Sequence, residues 1–140
     1  MIQAVDTSVL ILRERNPQVA EWFRGQLLAD ALAVCDMVSM EYLFGARSGR
    51  HYDELRESLA AMRQVPIGTS DWQRALAIQR TLAHQTGGGQ RAVKLPDLLI
   101  AAAAERAGLP LVHYDEDYER IAAVTGQVAS WVIPRDTVAP

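Results

Sequence analysis

Leu95-Pro96-Asp97-Leu98-Leu99-Ile100-Ala101-Ala102-Ala103-Ala104-Glu105-Arg106-Ala107-Gly108-Leu109-Pro110-Leu111-Val112-His113-Tyr114-Asp115-Glu116-Asp117-Tyr118 is the stretch on which the reading of the chain turns. Pro96 suits a first helical position, where a missing N–H is no loss, and Gly108 followed by Pro110 offers a left-handed cap and then a stop. A helix is therefore expected from about Pro96 to Ala107. From Leu98 to Ala104 it has no polar face, so protein must cover it on most sides. Leu111 to Tyr114 is a short apolar run of the kind found in a parallel strand covered on both faces, and Asp115 and Asp117 fall where it ends.

Working outward, Met1 to Val5 reads as an opening strand whose end carries Asp6, Thr7 and Ser8, with Thr7 or Ser8 able to cap a short helix from Val9 to Arg13. Asn16-Pro17 starts an amphipathic helix with Val19, Phe23 and Leu27 on one stripe, ending near Asp30. Ala31 to Cys35 is a second strand, and Val38 to Arg47 a largely apolar helix with Glu41 in its first turns. An unpaired carboxylate among such neighbours is costly, so Glu41 is expected to find a positive partner. Tyr52, Leu55, Leu59 and Met62 mark a further helix, and Gln64 to Ile67 a short strand. Ser70-Asp71-Trp72-Gln73 has the pattern of a capping box, opening a helix that points Ala75, Ile78 and Leu82 inward. Gly87-Gly88-Gly89 reads as a surface connector, since no Gly-Lys-Ser/Thr follows to make a nucleotide-binding loop. A helix from Tyr118 to Val124, a strand around Val128 to Ile133 and a tail from Pro134 complete the chain.

Strands alternating with helices over 140 residues predict one domain spanning residues 1–140, a three-layer α/β/α fold around a mainly parallel central sheet. The ligand site of such a sheet lies at the C-terminal ends of its strands. Asp6 and Asp115 fall there, and Glu41 and Asp97 begin helices that can face the same edge. With Asp117, up to five carboxylates converge with no cation of the protein's own expected nearby. Each has a bland reading as a dipole partner or a turn residue, but clustered carboxylates repel and call for a cation. Oxygen ligands at that density suit Mg2+ or Mn2+ better than zinc. The single cysteine, Cys35, excludes an internal disulfide and a cysteine-based zinc site. Neither a signal peptide nor a bilayer-length apolar run is present, which leads to the expectation of a cytoplasmic protein with no membrane association.

Four pieces in this order, Val5-Asp6-Thr7-Ser8, Met40-Glu41-Tyr42-Leu43, Pro96-Asp97-Leu98-Leu99-Ile100-Ala101-Ala102 and His113-Tyr114-Asp115-Glu116-Asp117-Tyr118, resemble the PIN-domain endoribonucleases of the VapC type, toxin halves of bacterial toxin–antitoxin pairs. The resemblance covers nearly the full length. It implies an acidic quartet of Asp6, Glu41, Asp97 and Asp115, with Asp117 as a further or water-mediated ligand and Thr7 and Ser8 as hydroxyls behind the ligands. It also implies an RNA substrate, a VapB-type antitoxin in the groove near the acids, and a homodimer. Metal-assisted hydrolysis of a phosphodiester follows, with Asp97 or Asp115 the better candidates to orient or deprotonate the water, ahead of His51, His84 or His113.

The net charge is −3, and the five candidate ligands account for all of that excess, so the remaining surface need not repel RNA. Arg47, Arg50, Arg91 and Lys94 are candidate phosphate contacts, each competing with a reading as solvated surface. Trp22, Phe23, Leu43 and Phe44 give apolar area for a partner helix or, equally, for the core. Two rival classes share an acidic pocket on a parallel sheet. A receiver-like signalling module wants paired acids after its first strand and a lysine after its last. A small-molecule phosphatase wants a second acid two residues beyond Asp6, where Ser8 stands.

Overall fold

The computed structural model describes residues 1–138. Its elements run β1 (Gln3–Val5), α1 (Thr7–Leu12), α2 (Pro17–Leu28), β2 (Leu32–Cys35), α3 (Asp36–Phe44), α4 (Gly49–Ala60), β3 (Arg63–Val65), α5 (Thr69–Ala83), a 3-10 turn (Gly89–Ala92), α6 (Leu95–Arg106), β4 (Leu111–His113), α7 (Asp117–Thr125) and β5 (Ala129–Trp131). The five strands make one sheet in the order β3-β2-β1-β4-β5, parallel throughout. The expected three-layer α/β/α architecture is therefore the observed one, and the sheet is wholly rather than mainly parallel.

From β1 the chain winds outward through β2 to β3, then returns to β1's other side and winds outward again through β4 to β5. The winding reverses between β1 and β4, where Ala4 pairs with Leu111 and Val5 with Val112. A crevice opens beyond the C-terminal ends of strands at such a reversal. Asp6 leaves β1 there and Asp115 leaves β4 there.

Helix α6 is central, as its sequence requires: every residue from Asp97 to Ala104 is buried. It ends in a Schellman motif. Gly108 takes φ +69°, its N–H donates to Glu105 O at 3.0 Å and the Leu109 N–H donates to Ala104 O at 3.0 Å. The helix begins one residue earlier than expected, with Lys94 at the N-cap, so Asp97 stands at the third helical position.

Other element ends depart from the sequence reading for physical reasons. Neither Thr7 nor Ser8 caps α1; Asp6 does, accepting the Ser8 N–H at 3.0 Å. The expected cap Ser70 lies inside α5, and the cap is Gly68, whose N–H donates to Asp71 Oδ2 at 3.0 Å. Buried Asp71 also accepts from Arg106 Nε at 2.7 Å while Arg106 Nη2 donates to Pro66 O at 2.7 Å, tying α5, α6 and the end of β3 together. Burial alone would raise the Asp71 carboxyl, but the Arg106 and Gly68 hydrogen bonds outweigh it and hold it below its ordinary range. Just past Pro134, Arg135 pairs with Glu119 at 2.9 Å and Glu116 at 3.1 Å. Among the described residues no helix is long and apolar enough to cross a membrane.

Candidate active site

Two hubs, a phenol and an ammonium, organise the acids at the reversal of the sheet. The phenol is Tyr118, fully buried in the first turn of α7, whose hydroxyl donates to Asp6 Oδ1 at 2.5 Å and lies 3.2 Å from Asp97 Oδ1. Burial and then the charges of Asp6 and Asp97 push the phenol well above its ordinary range, so it remains a donor. The other oxygen of Asp6 accepts from the Ser8 N–H at 3.0 Å and from Ser8 Oγ at 2.5 Å, and Ser8 Oγ itself accepts the Tyr114 N–H at 2.9 Å. Asp6 is thus fixed from β1, α1, the end of β4 and α7 at once.

The ammonium is Lys94. Its Nζ lies 2.8 Å from Asp115 Oδ2, 2.9 Å from Asp117 Oδ2 and 3.4 Å from Asp97 Oδ2. Its backbone N–H donates to Asp117 Oδ2 at 3.0 Å, and the Asp117 N–H donates to Asp115 Oδ1 at 2.9 Å. Asp117 is further met by Arg120 Nη1 at 3.3 Å. The expectation that no protein cation lies near the acids is corrected by Lys94, which is directed into the acids rather than displayed for a phosphate. Partial burial would lower the Lys94 ammonium, but its bonds to Asp115 and Asp117 outweigh that and hold it above its ordinary range.

Asp97 is the most perturbed of the carboxyls. It is 3% exposed, and its Oδ2 has no hydrogen-bond partner. Burial, then a hydrogen bond shared with Asp117, then the charges of Asp6 and Asp115 push it up to about 8, with Lys94 opposing. Asp117 moves the other way: burial would raise it, but hydrogen bonds from Asp97 and Lys94 hold it below its ordinary range. Of the two carboxyls, Asp97 is therefore the one that favours its proton. Glu41 stands on α3 and is raised by burial, against a 2.7 Å hydrogen bond from Thr7 Oγ1. The positive partner expected for Glu41 is replaced by that hydroxyl.

Oxygens of Asp97, Asp115 and Asp117 lie within 4.8 Å of one another. Three hard donors in that span, one of them an unpartnered buried oxygen, fit Mg2+ or Mn2+ and are wrong for a thiophilic metal. The trio holds Asp97 and Asp115 of the expected quartet together with Asp117. The structure gathers Asp97, Asp115 and Asp117 around Lys94, joins Asp6 to Asp97 through Tyr118, and sets Glu41 against Thr7.

Arg47 lies on the wall of a hollow shared with Glu41 and His51, where the Arg47 N–H donates to His51 Nδ1 at 3.0 Å. Arg50 is exposed at the start of α4, and Arg91 is exposed on the 3-10 turn. His113 is buried, its ring tilted against those of Tyr118 and Trp131 at 5.0 Å, and pushed down by burial, so it is packed rather than displayed. Of the four residues offered for a partner surface, Phe23 belongs to the core and Trp22 and Leu43 pack partly against it, while Phe44 is 92% exposed. Tyr118 was missed by the sequence reading. Its signal was present, as a tyrosine three residues past Asp115 in the first turn of the helix after a buried strand.

With this geometry in view, comparison with known proteins is direct. The PIN domain profile matches residues 4–124. The chain is 44% identical to Ribonuclease VapC18 of Mycobacterium tuberculosis over 138 residues, covering 99% of this chain and 100% of the relative. It is 40% identical to Ribonuclease VapC51 of the same organism over 134 residues, 96% of this chain and 95% of the relative. Among solved structures, a DNA-bound VapBC from Salmonella typhimurium superposes with a TM-score of 0.76 at 20% identity, covering 95% of this chain and 100% of that one. FitAB bound to an IR36 DNA fragment gives 0.72 at 18%, covering 97% and 99%. A near full-length match at this identity, on an acidic crevice at the reversal of an all-parallel sheet, settles kinship: the chain belongs to the PIN-domain family, among its VapC-type ribonucleases.

Proposed function

We propose that this protein is a Mg2+-dependent endoribonuclease, with Mn2+ able to substitute, that hydrolyses RNA phosphodiester bonds as the toxin of a toxin–antitoxin pair. The observation that carries the reading is buried Asp97, with one oxygen bonded within the Tyr118 hub and the other unpartnered toward Asp115, Asp117 and Lys94. Asp97, Asp115 and Asp117 would hold the ion, with Asp6 and Glu41 flanking it. An ion held there would supply acidification of a water and neutralisation of the charge building on the phosphate. The remaining work falls to side chains. Tyr118 and Ser8 hold Asp6 in one orientation, and Thr7 does the same for Glu41. Once its own proton has left, Asp97, or else Asp115, would orient the attacking water or take a proton from it. No residue is poised as a covalent nucleophile in this scheme.

The Arg47 and His51 hollow beside Glu41 is proposed to receive backbone phosphates entering the crevice, with Arg50 and Arg91 adding exposed charge. A VapB-type antitoxin is proposed to cover the crevice, supported by the likeness to VapBC complexes. A homodimer is proposed on the apolar surface that includes Trp72, Leu76 and Leu95, exposed at 58, 63 and 67%. Cytoplasmic action follows from an RNA substrate. A receiver-like module wants a lysine after its last strand. A lysine does reach the acids, but it enters ahead of α6, and the family match decides against that class.

The test is incubation of cellular RNA with the protein, with and without Mg2+, beside Asp97→Asn, with mapping of cleaved ends. Discrete ends that need both the ion and Asp97 are expected. Cleavage that persists in chelator, or in Asp97→Asn within a few-fold of the parent, refutes the assignment.

A further inference from the structure

Lys94 is unexplained by a nuclease site built only from acids. A cationic side chain aimed into a divalent-ion site repels the ion it should admit, yet this one is held by both ends. Its main-chain N–H is fixed on Asp117 Oδ2, and its Nζ reaches the same oxygen as well as Asp115 and Asp97. The placement follows from the fold, because Lys94 is the N-cap of α6 and Asp97 lies one turn further along. The arm is nonetheless 63% exposed, so the ammonium is free to leave toward solvent without disturbing the core.

We infer that Lys94 is an exchangeable internal counter-ion: it fills the Asp97, Asp115 and Asp117 node while no divalent ion is bound, and an incoming ion must displace it. This rests on the metal-binding reading above. Without Lys94 the node would bring three carboxyls, with Asp6 hydrogen-bonded to the same phenol as Asp97, into mutual repulsion, with Arg120 as the cation left beside Asp117. With Lys94 the ion-free protein is folded and closed to adventitious metal. The cost appears as weakened affinity: if the node is open one-tenth of the time, the apparent dissociation constant rises about tenfold. On displacement the ammonium is released at the rim of the crevice, beside the ion and on the solvent side, where a phosphate oxygen is its natural next partner.

Lys94→Met removes the charge and keeps much of the length, whereas Lys94→Arg keeps the charge. Titration calorimetry with Mg2+ in alkaline buffer should show Lys94→Met binding about tenfold or more tightly than the parent. In EDTA, Lys94→Met should melt below the parent, with Mg2+ recovering the difference, while Lys94→Arg melts close to the parent. A Lys94→Met chain unfolded in EDTA but folded by Mg2+ gives the same support. Unchanged or weaker Mg2+ affinity in Lys94→Met, an unchanged EDTA melt, or a chain unfolded with and without Mg2+ overturns the exchange. The two readings fail separately: a parent that binds Mg2+ with Lys94→Met binding it equally removes only the exchange, while no binding by either chain removes the metal site as well.

Discussion

Asp97→Asn should stabilise the ion-free protein, by a margin that grows as pH rises from about 4 to about 8. The Asp97 carboxyl rises from its ordinary 3.8 to about 8, so between those values the folded chain holds a proton that the unfolded chain has lost. Stability therefore falls as pH climbs from about 4 to about 8 and levels off beyond. The rise converts to at most about 6 kcal/mol at about 1.4 kcal/mol per pH unit. Asp117, which shares a hydrogen bond with it, shifts the opposite way, so roughly half, about 3 kcal/mol, is the expected net effect. An asparagine amide donates to Asp117 as the protonated carboxyl does and cannot ionise. In EDTA, Asp97→Asn should then come close to the parent at about pH 4 and exceed it at about pH 9 by about 10 °C, at roughly 3 to 4 °C per kcal/mol. RNA cleavage by the same variant should be lost. Parallel melting profiles from pH 4 to 9, or a variant less stable than the parent at pH 9, would refute the placement of the proton on Asp97.

Tyr118→Phe leaves Asp6 Oδ1 and Asp97 Oδ1 without the hydroxyl between them. It should cost about 1 to 3 kcal/mol in denaturant melts, and roughly 10- to 100-fold in cleavage with little change in RNA binding. Arg106→Met strips buried Asp71 of its ion pair while Gly68 still donates to it. Because Arg106 is itself partly exposed, a loss of about 1 to 3 kcal/mol is expected in urea unfolding; a change under a few tenths would show that the pair is ornamental. Mg2+ at about ten- to a hundredfold over its dissociation constant should raise stability by about 1 to 3 kcal/mol, weakening as pH falls because the proton on Asp97 must leave. KCl at matched ionic strength reproducing the whole effect would reduce the site to an acidic patch.

The fold was largely legible because its strongest signals are local and redundant. Apolar Leu98 to Ala104 cannot be solvated, and Gly108 is the one kind of residue that closes α6 at φ +69° without strain. Element ends were less legible where two cap candidates compete. Asp6, Thr7 and Ser8 can all cap a helix, and the winner is the residue whose other oxygen has a long-range partner in Tyr118. Ser70 lost to Gly68 for a similar reason, because Asp71 is drawn back to Gly68 by the same geometry that gives it Arg106. Phe23 and Phe44 look alike in sequence, yet one is core and the other 92% exposed, since helix periodicity near a helix end does not say which turn the chain leaves on.

The acids of the site could be named from the strand ends they follow, but what lies between them could not. A carboxylate beyond a parallel strand is a pattern of a few residues. A hydroxyl that reaches Asp6 across 112 positions, or an ammonium that reaches Asp115 and Asp117 across 21 and 23, has no local signature. Both hubs nonetheless sit in sequence next to the acids they serve: Lys94 three residues before Asp97, and Tyr118 immediately after Asp117. Placing them there lets one short segment at the start of α6 and another at the start of α7 carry an acid together with the group that restrains it. Repulsion among the acids is then balanced by neighbours that fold with them, and the cluster does not have to wait for a metal ion to become stable.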